Sequence, residues 1–178
     1  MPEPSAFAGI LLTAIGPLYQ VLKRHYDVKN ANLESKIRLA RELKDACAQW
    51  ATRLESTFDS AIGLLDQQGS VAARSEIERQ QQDFNALDYG SLARESPALE
   101  GLREDPRFTP FAVACSSFYE GAIALKAVAY GTFDDAGTAR SLNTDGFAKT
   151  ARLWKRDVDS LLNDVRNEFR GVERVRQS

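Results

Sequence analysis

Few side chains in this sequence combine a reactive type with a useful spacing. His25 is the only histidine, so a Ser–His or Cys–His nucleophile pair, or an imidazole general base, would have to use it. It follows Arg24 just past an apolar segment, the setting of an ordinary helix-end residue, and no arginine precedes it at the R-x4–6-H spacing of the helical HEPN nucleases. Cys47 and Cys115 show neither metal-ligand spacing nor a disulfide framework. Both fall on apolar helical faces and read as reduced, buried thiols. Carboxylate-bridged metal bundles need inward-facing Glu and a Glu-x-x-His motif, which are absent here, so Asp134-Asp135 and Asp83/Asp88 read as loop or surface acids. There is no glycine-rich phosphate loop, no G-x-S-x-G and no H-E-x-x-H. No catalytic residue, no cofactor and no metal is assigned.

Charges set into apolar or one-signed surroundings say more. Glu120 and Lys126 interrupt an otherwise apolar helix. If buried they would need partners and would mark a pocket, but such residues are almost never fully buried unpaired, so both are expected at the rim of a bundle. The last helix carries Lys149, Arg152, Lys155, Arg156, Arg166, Arg170, Arg174 and Arg176, diluted by Asp157, Asp159, Asp164, Glu168 and Glu173. Its final arginines complement the helix dipole. Arg166, Arg170 and Arg174 are also the candidate contacts for an anion or an anionic lipid.

The elements that must position these groups are all helical. Pro110 to Gly131 is apolar on nearly every side and calls for cover all round, which makes it the expected central helix. Proline suits its first turn and glycine its stop. At about 20 apolar residues it is long enough to raise a bilayer span, but each of its two charges would cost about 2.5–3.5 kcal/mol there, so a core helix is the better reading. Leu33, Ile37, Ala40, Leu43, Cys47, Trp50, Leu54, Phe58, Ala61, Ile62 and Leu65 recur in steps of three and four and predict one long amphipathic helix over 33–65, capped by Asn30 or Asn32. Glu34–Arg38, Arg38–Glu42 and Arg41–Asp45 are spaced for ion pairs on its outer face. Phe147, Ala151, Trp154, Val158, Leu161, Leu162, Val165, Phe169, Val172 and Val175 predict a second such helix over 145–175, antiparallel to the first.

Between these lie a weaker surface helix over 71–87 and an irregular connection over 89–110. That connection is pinned by Leu92, Leu99, Leu102 and Phe108, with a short helix near 98–103. A polar loop is expected over 132–145. The expected whole is an all-α antiparallel bundle of five to six helices in a single domain, 1–178, which could also be the N-terminal domain of a longer protein.

The N-terminus is the least ordinary part. Pro4 to Leu22 (PSAFAGILLTAIGPLYQVL) has no charged residue, lacks the basic start of a secretory signal, and should kink at Gly16-Pro17. It is expected to be either a packed core helix or a deployable one. In the second case Phe7, Ile10, Leu11, Leu12, Ile15 and Leu18 are the candidate residues for a membrane or a partner groove. An uncharged first helix, AFAGILLTAIGPLYQVL, followed by a helical bundle resembles the layout of HeLo-type and related cell-death domains. That resemblance implies a first helix that acts at membranes, and it transfers no residue role.

A net charge of −2 over 178 residues gives no general attraction to nucleic acid. The expected function is a non-enzymatic interaction or regulatory module, with a protein partner or self-association and a cytoplasmic location. The second reading is a membrane-acting effector using 4–22, and an enzyme without a recognisable motif is a distant third.

Overall fold

The computed structural model describes residues 19–68, 72, 75, 97–138 and 144–175, and among these no strand occurs. Helical segments follow one another as α1 (19–29), α2 (Leu33–Gln68), α3 (97–103), α4 (Thr109–Thr138) and α5 (Thr144–Val175). The chain is an all-α bundle.

Its two long helices follow from their apolar period. α2 buries Ile37, Ala40, Leu43, Cys47, Ala51, Leu54, Phe58, Ala61 and Leu65, and α5 buries Ala151, Trp154, Val158, Leu162, Val165, Phe169 and Val172. Each row advances by three or four residues and so stays on one side of a helix with 3.6 residues per turn. Phe58 lies 5.4 Å from Trp154, and Lys44 caps the Phe169 ring at 4.7 Å. Partners that rise along α2 fall along α5, so the two helices are antiparallel, as their stripes predict. Phe111 meets Phe169 at 5.8 Å and Gly121 faces Leu161, so α4 is antiparallel to α5 as well. Trp50 meets Tyr119 at 6.5 Å and Cys47 lies beside Cys115, so α4 runs parallel to α2.

Local chemistry sets the ends. Asn30 donates from Nδ2 to the Tyr26 carbonyl at 2.8 Å and closes α1. Asn32 Oδ1 accepts from the Ser35 N–H at 2.9 Å and opens α2, satisfying a donor with no partner inside the helix. At α4 the Ala112 N–H reaches the Phe108 carbonyl at 2.9 Å. Thr109 turns its hydroxyl back to the carbonyls of Arg103 and Asp105, and Pro110 stands in the first turn, where its missing N–H costs nothing.

Three expectations are corrected. Gly131 does not end α4, which continues to Thr138 and takes up half of the expected polar loop. A helical glycine costs only about 1 kcal/mol relative to alanine, and no proline follows to enforce a stop. The cover over α4 is one-sided in its first half: Phe111, Ala112, Cys115, Phe118, Tyr119 and Ala122 are buried, while Val113 and Ile123 are 46% and 40% exposed. The outer charges of α2 also reach other partners than expected, since Arg41 meets Glu173 of α5 and Asp45 is met by Lys44. Exposed pairs of this kind are worth so little that spacing on one helix does not fix the partner.

The connection before α4 is pinned as expected where it is described. Leu99, Leu102 and Phe108 are buried, and 97–103 forms the short helix. Gly101 lets α1 come close, because a Cβ there would stand 2.9 Å from Val28 Cβ and 3.0 Å from the His25 carbonyl. Of the helix expected over 71–87, residues 72 and 75 are described and helical. The kink at Gly16-Pro17, Leu92, and the candidate residues Phe7, Ile10, Leu11, Leu12, Ile15 and Leu18 lie outside the described residues.

Candidate functional site

Polar groups with structural consequence gather where α1, the start of α2 and the turn between α3 and α4 meet. Lys36 heads α2's buried row, and its side chain is only 7% exposed. A buried ammonium needs a counter-charge, and Lys36 Nζ finds Asp105 Oδ2 at 2.9 Å. The same carboxylate accepts from Arg107 Nε and Nη2 at 3.0 and 2.8 Å and from the Arg107 N–H at 3.2 Å. These donors hold the Asp105 carboxyl well below the usual carboxylate range, the Arg107 hydrogen bonds first, against the opposing pull of desolvation. The cluster locks the turn that launches α4, and its charges are satisfied internally.

A few ångströms away α1 is tied down by Glu104, which receives Lys29 Nζ at 2.6 Å and lies 3.1 Å from His25 Nε2. The hydrogen bond from Lys29 lowers the Glu104 carboxyl and raises the Lys29 ammonium. His25 therefore serves as a clasp between α1 and the turn after α3, the helix-end role its sequence context suggested. Between α1 and α2 runs an open groove of about 500 Å³, lined by Lys23, Arg24, Asp27, Val28, Arg38 and Glu42 among others, with Lys36 at its floor. Among the described residues that line it there is no histidine or cysteine, and Ser35 is the one hydroxyl. It can hold a polar group by charge and hydrogen bonding, and it contains no nucleophile paired with a base.

Opposite the Lys36 side, α1 leaves large side chains in solvent. Tyr19, Leu22 and Tyr26 are 64%, 59% and 67% exposed. Their i, i+3, i+7 spacing sets them along one line of the helix, continuous in sequence with the uncharged segment before it.

The candidate anion contacts are brought together. Arg166, Arg170 and Arg174 are exposed and rise along one ridge of α5, away from its buried row. Arg166 donates from Nη1 to Asn163 Oδ1 at 3.4 Å, and Arg170 does the same to Asn167 at 3.3 Å. Glu120 lies at the surface as its isolation predicted, and the side chain of Lys126 lies outside the described residues.

Between α2 and α5, Glu55 faces Asp159 beside Asp59 and Lys155. Burial first, and the Asp159 carboxylate next, push the Glu55 carboxyl up. Lys155 grips Asp59 at 2.8 and 2.9 Å. Cys47 and Cys115 are buried and free. Their mutual hydrogen bond and burial raise the Cys115 thiol far from its reactive thiolate form.

Among the described residues no group of three metal-ligating side chains is arranged around one point, and no helix is long and apolar enough to cross a membrane. The reading of the sequence missed Lys36 and Asp105. Lys36 had a signal, because it shares the i, i+4, i+7, i+11 row with Ala40, Leu43 and Cys47. Asp105 lies in a turn and had none. No protein-family model, curated protein or solved structure matches the chain.

Proposed function

We propose that this chain is a non-enzymatic helical interaction module that presents α1 to a protein partner. The observation that carries this reading is the line of Tyr19, Leu22 and Tyr26 left in solvent on a helix that is itself fastened through His25, Val28 and Lys29. The two tyrosines offer large apolar area with hydroxyl tips, a residue type enriched at the energetic centres of protein interfaces, and Leu22 adds apolar area between them. The buried ionic groups nearby serve the fold, which leaves this exposed line as the part of the region free to act outside it.

The test places a photo-crosslinking residue at Tyr26 in the cells of origin. One recurrent protein adduct is expected, and it should disappear in a Leu22→Asp chain that melts at the wild-type temperature. Absence of any protein adduct would overturn the reading.

A second reading is favoured by the same line. Tyr19 and Leu22 belong to the uncharged Pro4–Leu22 segment, and Lys23 and Arg24 follow at once, the arrangement of an amphipathic helix lying at a lipid interface. Flotation with anionic vesicles that is lost in Leu22→Asp, without a protein adduct, would replace the first reading with this one.

A further inference from the structure

We propose that the outer face of α5 is a docking row for an acidic helix of a protein partner. Lys149, Arg152, Arg156, Arg166, Arg170 and Arg174 are all exposed and follow one another down the helix opposite its buried face. All but one of the acids that dilute this run in the sequence are set to its sides by the helical period. Asp157, Asp164 and Glu168 stand a quarter-turn or more to the side on which Leu161 meets Gly121 of α4. On the other flank Glu173 and Lys155 are engaged with Arg41 and Asp59 of α2. Asp159 alone stands within the row, between Arg156 and Arg166, and its carboxylate presses on Glu55 of α2.

None of the six cations makes an ion pair with a described residue. Like charges instead stand at i, i+4 in Arg152/Arg156, Arg166/Arg170 and Arg170/Arg174, and at i, i+3 in Lys149/Arg152, spacings that weaken a helix. Complementing the helix dipole accounts for Arg174 in the last turn, but that effect fades within one turn and leaves Arg152 and Arg156 without a structural use. An anionic partner would convert this repulsion into binding.

The chemistry narrows the partner. Five of the six cations are arginines, whose planar forks suit the paired oxygens of carboxylates. Asn163 and Asn167 each occupy one guanidinium N–H and leave the others free. The row is one side chain wide and advances about 6 Å from Arg166 to Arg170 and again to Arg174, which is the spacing of carboxylates at i, i+4 on a helix lying alongside. The acids on one flank, Asp157, Asp164 and Glu168, disfavour a broad polyanion such as a bilayer or a duplex and suit the basic flank of an amphipathic acidic helix. This inference rests on the reading of the chain as an interaction module but uses a different surface from α1.

The test uses the intact chain and a synthetic helix about seven turns long with glutamates at every fourth position and lysines on its flanks. Controls are the same composition scrambled around the helix, phosphatidylserine-containing vesicles and a DNA duplex. The ordered helix should bind. Arg152→Gln/Arg166→Gln/Arg170→Gln should weaken it about tenfold or more while melting no lower than wild type, because like-charge pairs are relieved. Equal binding of the scrambled helix, tighter binding of vesicles or duplex, or a lowered melting temperature in the triple variant would each overturn the proposal. A Leu22→Asp chain should bind the ordered helix unchanged. Loss there would move the contact to α1, overturning the assignment to α5 while leaving the interaction reading standing.

Discussion

Helices α2 and α5 are near copies of one another on their inner faces and opposites on their outer ones. Both bury an unbroken row that steps by three and four residues, and those rows meet through pairs such as Phe58 and Trp154. On α2 three charges are spent on other parts of the bundle: Lys36 on Asp105, Arg41 on Glu173 and Asp59 on Lys155. On α5 Lys155 and Glu173 are spent on the same pairs, while Lys149, Arg152, Arg156, Arg166, Arg170 and Arg174 make no ion pair with a described residue. The inner faces specify how the chain folds, and only the outer faces tell the two helices apart. A helix whose surface charges are unbalanced at i, i+4 spacing carries information that packing does not need.

Truncating the shared inner faces should have the largest effect. Phe58→Ala and Trp154→Ala should each cost about 3–5 kcal/mol, a large part of the stability of an ordinary domain. Because the rings touch, the double variant should lose less than the sum, which a denaturant-melt cycle reads directly. Strict additivity would mean that the two inner faces do not pack through this pair.

Asp105→Asn comes next, because it strands the buried Lys36 ammonium on α2 alone. The expected cost is about 3–5 kcal/mol, and Lys36→Met in the same chain should recover much of it. Asp105 is held below its unfolded pKa, so the stability it contributes is present above the ordinary aspartate range and is lost as pH falls through and below that range. The asparagine variant should show a flatter acid limb in a plot of melting temperature against pH.

Glu55→Gln should have the smallest effect and the opposite sign. In the folded chain the raised Glu55 carboxyl keeps its proton above the pH at which the unfolded chain releases it, so stability falls as pH rises through that window. The glutamine variant removes this penalty. It should melt slightly higher than wild type at neutral pH and lose the slope just above the ordinary glutamate range. An unchanged slope would show that burial and Asp159 do not raise the Glu55 carboxyl at the α2/α5 seam.

Much of the fold was legible because helix burial is periodic and the period survives in a single sequence. The bounds 33–65 and 145–175 fall within a few residues of Leu33–Gln68 and Thr144–Val175. The cap at Asn32 follows from a side chain that prefers the non-helical conformation just before a helix. The end of α4 was not legible, since a glycine inside a helix looks the same in sequence as one that ends it. The one-sided cover of α4 was hidden for a related reason: an apolar outer face erases the amphipathic signal that reveals which side is buried. At the candidate site the acids and bases of α5 looked intermixed when read in order and separate only when wound at 3.6 residues per turn. The Lys36–Asp105 pair joins residues far apart in sequence, and nothing local to Asp105 announces it.

The parallel course of α2 and α4 bears on how the chain finds its fold. From the level at which Trp50 meets Tyr119, Gln68 and Thr109 are separated by roughly 40 Å along the bundle, so these two helices cannot zip together from a tight turn. By contrast α4 and α5 are antiparallel neighbours with only residues 139–143 between them, so their contacts close short loops at small entropic cost. The α4–α5 hairpin is therefore the natural early unit, with α2 docking late across contacts as distant as Lys155 and Asp59. Weakening Leu161 against Gly121 should slow refolding, whereas truncating Phe58 should chiefly hasten unfolding.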